Sequence, residues 1–268
     1  MTKFIILFLL FIFALPINSY AQTLESGDAP IEISADNSLE WIQNKNQYVA
    51  NGNVEVTQGT SKILCDRLVA DYRENATSGK TEIWKLTAYD NVRLINDGNQ
   101  AQGDQATHNI DTGLSTLIGT DLKLTMPEQT LTASERMEYN MNEGRAKAIG
   151  NAKIIRGTDS LSAQNIEAIF SEDTQGKQVL QNATATGNVI IITPDEKITG
   201  NKAIYNAIEN TAEVTGDVII TRGPNKLEGA RAQVNLATNI SQIFGAPKTG
   251  ERVKGIFYPS SKPKKEEN

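Results

Sequence analysis

The segment Ala50-Asn51-Gly52-Asn53-Val54-Glu55-Val56 carries a pattern that recurs along the chain: a small or apolar residue, Gly beside Asn or Asp, then alternating branched aliphatic residues. Copies of varying strength follow at Asp90, Gly119, Gly150, Gly187, Gly216 and Gly245. Counted from Gly52, successive copies are 38, 29, 31, 37, 29 and 29 residues apart. Self-similarity at such a spacing is typical of a repeat architecture, in which each unit packs on its neighbours.

A second pattern lies between these copies, as in residues 131–139, 161–170 and 198–205. Short runs that alternate with period two, separated by Gly, Asn and Asp, predict two or three short strands per repeat. No amphipathic helical period persists for a full helix length. We therefore predict an all-β fold, a single elongated stack of antiparallel strands.

The alternation places Val, Ile, Leu, Ala and Tyr on one face of the strands and charged or polar residues on the other. A single sheet cannot bury an apolar face, so we expect two facing layers with an aliphatic strip between them. Aromatic residues are only 6% of the chain, so branched aliphatic residues dominate this strip. That composition allows either a packed core or a gap between the layers.

Composition excludes several classes of function. The 268 residues include 26 Lys and Arg against 32 Asp and Glu, and a net charge of -6 argues against nucleic-acid binding, which needs a basic face. One Cys permits no internal disulfide framework, and one His leaves little room for a metal site. We therefore expect no catalytic residue, no metal and no cofactor, and we predict that the chain is not an enzyme.

The isolated polar residues have structural explanations. Cys65 alternates with its neighbours and is expected to be a small buried residue. His108 lies in a polar stretch, which suggests a solvated turn. Asp36, Asp66 and Asp104 occupy equivalent repeat positions, but later copies replace them with Ser, Gln, Asn or Ala. This variation favours turn capping over a carboxylate pair for glycoside cleavage.

The ends of the chain differ from its body. Residues 1–21 combine Lys3, the apolar run 4–15 and small residues before position 22, which is typical of a cleaved secretory signal peptide. An uncleaved membrane anchor is the alternative. We expect a repeat domain over residues 22–258, located outside the cytoplasm, and a disordered basic and polar tail over residues 259–268.

A family resemblance adds to these expectations. Residues 30–39 read Pro-Ile-Glu-Ile-Ser-Ala-Asp-Asn-Ser-Leu, residues 50–60 read Ala-Asn-Gly-Asn-Val-Glu-Val-Thr-Gln-Gly-Thr, and residues 70–72 read Ala-Asp-Tyr. These segments resemble the LptA/OstA family of periplasmic lipopolysaccharide (LPS) transport proteins. Repeats continue in the same style to Gly245, and residues 255–259 resemble the end of longer members.

The resemblance implies a half-open β-jelly-roll whose interior holds the acyl chains of lipid A. It also implies head-to-tail stacking between an LptC-like subunit of the inner-membrane exporter and the LptD-like N-terminal domain of the outer-membrane assembly protein, or with further copies of this chain. Unpaired strands near residues 31–34 and 253–257 are the expected joining edges. A structural scaffold or adhesin and a polysaccharide-processing enzyme are the alternative functions.

The candidate lipid-binding residues share an apolar position that alternation turns inward, and a packed core is the alternative reading of each. They are Ile31, Ile33, Leu39, Trp41, Val54, Val56, Ile63, Leu68, Val92, Leu94, Val189, Ile191, Val218 and Ile220.

Overall fold

The computed structural model describes residues 30–75, 79–96, 98–174, 178–235, 238, 240–246, 250 and 252–258. The expected signal peptide and the expected C-terminal tail lie outside these residues. Within them, no helix has both the length and the apolar composition that a membrane crossing requires. A short 3-10 helix, Gln43–Lys45, is followed by Asn46 in the left-handed conformation.

All other regular structure in the described ranges is extended, in an 18-stranded antiparallel network, which confirms the all-β prediction. The strands are β1 (Glu32–Ser34), β2 (Ser38–Ile42), β3 (Gln47–Gln58), β4 (Ser61–Glu74), β5 (Thr81–Asn96), β6 (Asn99–Asn109), β7 (Leu114–Ile118), β8 (Leu122–Thr125), β9 (Thr130–Ala133), β10 (Arg136–Asn140), β11 (Arg145–Arg156), β12 (Asp159–Glu172), β13 (Gln178–Ile192), β14 (Lys197–Asn206), β15 (Thr211–Arg222), β16 (Asn225–Asn235), β17 (Ile240–Phe244) and β18 (Lys254–Ile256).

The recurring Gly-Asn pattern marks a bend inside a strand rather than a turn between strands. The register of β3 against β4 shifts between Asn51 and Val54. The two residues between them, Gly52 and Asn53, have φ of 82° and 41°. A bulge of this kind redirects a strand without reversing it, so the strands are long. The predicted number of two or three strands per repeat agrees with the structure, but most of the strands are long and not short as predicted, and β5 alone has 16 residues.

The bends divide the network into two layers. Residues 47–51 of β3 pair with β2, whereas residues 55–57 pair with β1. At the other end, residues 231–235 of β16 pair with β17 and residues 226–228 pair with β18. One layer thus contains β2, β7, β10 and β17, and the other contains β1, β8, β9 and β18. The long strands contribute to both layers, which meet along the line of bends, and one buried apolar cluster joins them.

Polar side chains stabilise the bends. Asn53 Nδ2 donates to Asp36 Oδ2 at 2.8 Å, and Asn91 Nδ2 donates to Asp66 Oδ2 at 2.7 Å. Asp104 lies opposite the bulge of β5, at the bend of β6. Asp36 and Asp66 thus have a structural role, because each carboxylate accepts a hydrogen bond from the bend of a neighbouring strand.

Candidate functional site

The second layer carries a continuous aliphatic row on its inner face. Each member is the cross-strand partner of the next, so the row crosses the layer from β1 to β16 without interruption. It consists of Ile33, Val56, Ile63, Leu94, Ala101, Leu124, Leu131, Ile154, Leu161, Ile191, Ile198, Ile220 and Leu227.

A cavity of about 440 Å³ separates the two layers between β4 and β13. Its large apolar wall residues are Ile63, Leu68, Leu86, Leu94, Ile95, Leu117, Leu124, Met126, Leu131, Met137, Ile154, Ile166 and Phe170. In the first layer, Ala146 and Ala168 are cross-strand partners that also line the cavity. Because these side chains are so short, they leave space beneath the aliphatic row of the second layer.

The interior closes towards the C-terminal end. Ala168 of β12 lies opposite Ala183 of β13, and Ala183 in turn lies opposite Tyr205 of β14. Tyr205 is only 1% exposed. Ile191 and Val218, on the flanking strands β13 and β15, are also 1% exposed. A bulky residue replaces alanine there, so this end is a packed core and the open groove lies in the first and middle parts.

The candidate residues from the sequence fall into four groups. Ile63, Leu68 and Leu94 line the cavity. Ile31, Ile33 and Ile220 are half-buried against the core. The fully packed group, each at most 1% exposed, contains Val54, Val56, Val92, Val189, Ile191 and Val218. The last group, Leu39 and Trp41, is exposed.

Leu39 and Trp41 lie on the inner face of β2, opposite Ala50 and Tyr48 of β3, but they are 59% and 60% exposed. They are uncovered because β2 pairs with β3 alone and ends its layer. The Trp41 indole stacks on Tyr48 at 6.1 Å and donates from Nε1 to the Tyr72 hydroxyl at 2.8 Å. An ordered aromatic surface therefore lies at this end of the interior.

Much of the cavity wall is formed by residues that were not among the predicted site residues. Leu117, Leu124, Leu131, Met137 and Ile154 all lie on β7–β11, in or beside the weak copy near Gly119, in the second pattern and in the copy at Gly150. Their alternation was visible, and it is the same signal that identified the earlier strands. What alternation cannot show is which of the inward residues border empty space.

His108 is not in a solvated turn, so that expectation is wrong. It lies within β6, opposite Leu86 and Ser115, and its side chain lines the cavity. Its polar neighbours misled the prediction because alternation turns them to the outer face. Nδ1 lies 2.9 Å from Ser115 Oγ, and burial lowers the pKa of the imidazole, favouring its neutral form.

A polar rim borders the second layer, two residues outward from the aliphatic row. Its members include Gln58, Ser61, Asn96, Asn99, Gln129, Arg156, Asp159, Glu196 and Arg222. Arg156 Nη2 lies 2.6 Å from Glu128 Oε2, and Arg222 Nε lies 3.8 Å from Glu196 Oε1. Burial raises the pKa of the Glu196 carboxyl despite Arg222. The groove is thus apolar inside and polar at its opening, as an amphiphile requires.

In the described part of the chain, no group of three or more His, Cys, Asp or Glu side chains could hold a metal ion. Cys65 is 4% exposed, and burial raises the pKa of its thiol to about 11. The thiol is therefore protonated at neutral pH, and the prediction of a small buried residue is confirmed.

Comparison with known proteins gives a family match over most of the chain. The model described as "LptA/(LptD N-terminal domain) LPS transport protein" matches residues 32–145 and again residues 131–240. The overlap, residues 131–145, contains β10 and most of β9. The family model therefore matches the chain twice in succession, and the two matches share these strands.

Two individual proteins are also similar. An uncharacterized protein of Rhizobium meliloti (strain 1021) is 26% identical over 125 residues, which are 46% of this chain and 66% of the relative. The match thus spans just under two thirds of that protein. The crystal structure of LptH, the LptA homologous periplasmic component of the LPS transport device of Pseudomonas aeruginosa, aligns with a TM-score of 0.40 and 17% identity, covering 49% of this chain and 95% of LptH.

Proposed function

Since this chain belongs to the LptA/(LptD N-terminal domain) family of LPS transport proteins, we propose that it carries LPS through the periplasm, holding the acyl chains of lipid A between its two layers. The observation that supports this most directly is the cavity of about 440 Å³ beneath the aliphatic row. Its volume falls within the usual range of ligand pockets, roughly 300–1,000 Å³. Of the residues predicted from the sequence, Ile63, Leu68 and Leu94 line the cavity and would contact the lipid.

The energetic reason for such a groove is the cost of exposing acyl chains to water. Each methylene contributes about 0.8 kcal/mol, so one chain of about a dozen carbons costs on the order of 10 kcal/mol when bare. An aliphatic wall replaces contact with the bilayer by similar contact with Leu124, Leu131 and Ile154. Transfer into the groove is then nearly neutral, while the sugars and phosphates remain at the polar rim in water.

Site-specific photo-crosslinking tests the proposal. A photoreactive residue at Leu124, inside the cavity, should form adducts with LPS in cells. The same residue at Lys123, on the outer face of the same strand and exposed, is the matched control and should form none. Equal labelling at both positions, or no LPS adduct at Leu94, Leu124 and Ile154, would favour a structural scaffold instead.

We also propose that the two ends join neighbouring family domains. In the described ranges, β1 and β2 pair only with β3 at one end, and β17 and β18 pair only with β16 at the other. β1 and β18 are the edges expected from the sequence, and β2 and β17 are the additional edges of the first layer. Exposed apolar residues accompany them, among them Trp41 at 60% and Phe257 at 69%.

The joint inside the chain supports end-to-end stacking. β9 and β10 begin the second family unit, as β1 and β2 begin the first, and they pair with β8 and β7 of the preceding unit. Both layers and the aliphatic row continue across this joint. The same strand addition between molecules would extend the groove to an LptC-like subunit, an LptD-like N-terminal domain or another copy of the chain.

Charges at the edge test the joint separately. Leu39→Lys with Trp41→Lys should abolish concentration-dependent association, because both side chains lie on the inner face of β2 and two charges there would be buried in the apolar interior of the joint. Glu40→Lys, on the opposite face of the same strand, is the control. Sedimentation velocity with the purified protein, alone and with each candidate partner domain, gives the readout, and unchanged association of the double variant contradicts the proposed joint.

A further inference from the structure

Two buried side-chain oxygens in the groove have no hydrogen-bond donor. They are Oε1 of Gln129 and Oε1 of Gln178, and both residues line the cavity. Gln129 lies at the hairpin between β8 and β9, two residues before Leu131 of the aliphatic row. Gln178 begins β13, two residues before Leu180, which packs against the core. One oxygen thus belongs to each layer, at the level where the apolar interior ends.

The partners of the amide nitrogens orient these oxygens. Gln178 Nε2 donates to Glu172 Oε1 at 3.3 Å, so its oxygen must point away from that carboxylate. Gln129 Nε2 lies 3.6 Å from Met126 Sδ, a weak acceptor. A buried acceptor without a donor costs about 1–3 kcal/mol. Two such acceptors bordering one cavity are best explained by a ligand that supplies the donors.

The surroundings define the chemistry of that ligand. Wall residues such as Leu124 and Leu131 would disfavour an ammonium group, because burying a charge in apolar surroundings is costly. A neutral hydroxyl or amide N–H meets the oxygens without that cost. Such a donor must sit near the head end of an acyl chain, because the oxygens lie at the rim and the aliphatic wall lies deeper.

We propose that Gln129 and Gln178 are specificity-determining residues that accept hydrogen bonds from hydroxyl or amide groups near the head end of the bound acyl chains. This inference rests on the proposed lipid groove and adds a chemical preference to it. The groove selects hydroxylated or amide-linked chains over plain fatty chains of equal length.

Competition binding measures the preference directly. Purified protein is loaded with a fluorescent fatty acid, which is displaced with 3-hydroxytetradecanoic acid or with tetradecanoic acid. One net hydrogen bond predicts about fivefold tighter binding of the hydroxylated probe. Gln129→Met with Gln178→Met should remove the preference, so that the hydroxylated and the plain probe displace the fluorescent ligand equally well. Gln102→Met, on the exposed outer face of β6, is the control and should keep the preference.

Thermal unfolding separates this role from a structural one. Without ligand, the double variant should unfold at a temperature equal to or above that of the unmodified protein, because it removes two unsatisfied acceptors. A lower unfolding temperature would assign the glutamines to folding and overturn the inference. Equal affinity of the unmodified protein for both probes would overturn it and leave the lipid groove standing. If neither probe displaces the fluorescent ligand, the proposed acyl-binding function itself is refuted.

Discussion

Filling the cavity should stabilise the protein while it blocks the lipid. Ala168→Leu adds three carbons to a side chain that lines the open space. At about 0.8 kcal/mol for each buried carbon, less about 0.5–1 kcal/mol for the lost rotamer freedom of leucine, the expected gain is about 1.5 kcal/mol. The stability gain and the loss of LPS binding would then share one cause.

The same substitution in the closed part of the row is the control. Ala212 is 2% exposed and borders Tyr205, so Ala212→Leu overpacks the core and should cost about 1–3 kcal/mol. Urea unfolding measures both effects, and the yield of LPS adducts at Leu124 measures occupancy. If Ala168→Leu destabilises the protein as Ala212→Leu does, the gap between the layers does not exist in solution. If it stabilises the protein but leaves the adduct yield unchanged, the lipid binds elsewhere.

Three further predictions concern the bends and the buried titratable groups. Gly150→Ala should lower the free energy of unfolding in urea by at least about 1 kcal/mol more than Gly157→Ala does. Both glycines have positive φ, but a new Cβ would lie 2.5 Å from Glu135 Cγ at Gly150 and would meet nothing within 4 Å at Gly157. Equal losses would contradict the close packing of the bend. Because burial lowers the pKa of His108, protonation favours the unfolded chain, and the free energy of unfolding should fall as the pH drops through about 6.5. His108→Gln should reduce this pH dependence. If the slope of stability against pH stays the same in the variant, other groups cause the dependence. The Cys65 thiol should resist a thiol reagent at pH 8 until denaturant is added, since its pKa is about 11, and fast labelling of the native protein would show that the site opens.

Much of the architecture could be predicted because it depends on local patterns. Pairs of Gly, Asn or Asp with positive φ recur at the bends of β3, β5, β11, β13 and β15, and alternation identified inward-facing residues on β1–β5, β13 and β15. The burial of Cys65 follows from the same alternation. The length of the strands was misjudged because a left-handed pair such as Gly52 and Asn53 can either close a hairpin or bend a strand, and sequence alone does not distinguish these outcomes.

The groove itself depends on residues that are distant in sequence. Alternation by itself established two apolar faces that must meet, and family resemblance added what they could hold. Only the tertiary structure decided where they stay apart: Ala146 and Ala168 leave space opposite Leu124 and Leu131, whereas Tyr205 fills it further along. The physical reason is that side-chain direction is set by the strand on which a residue lies, whereas empty volume is set by the combined sizes of side chains that face one another from different strands.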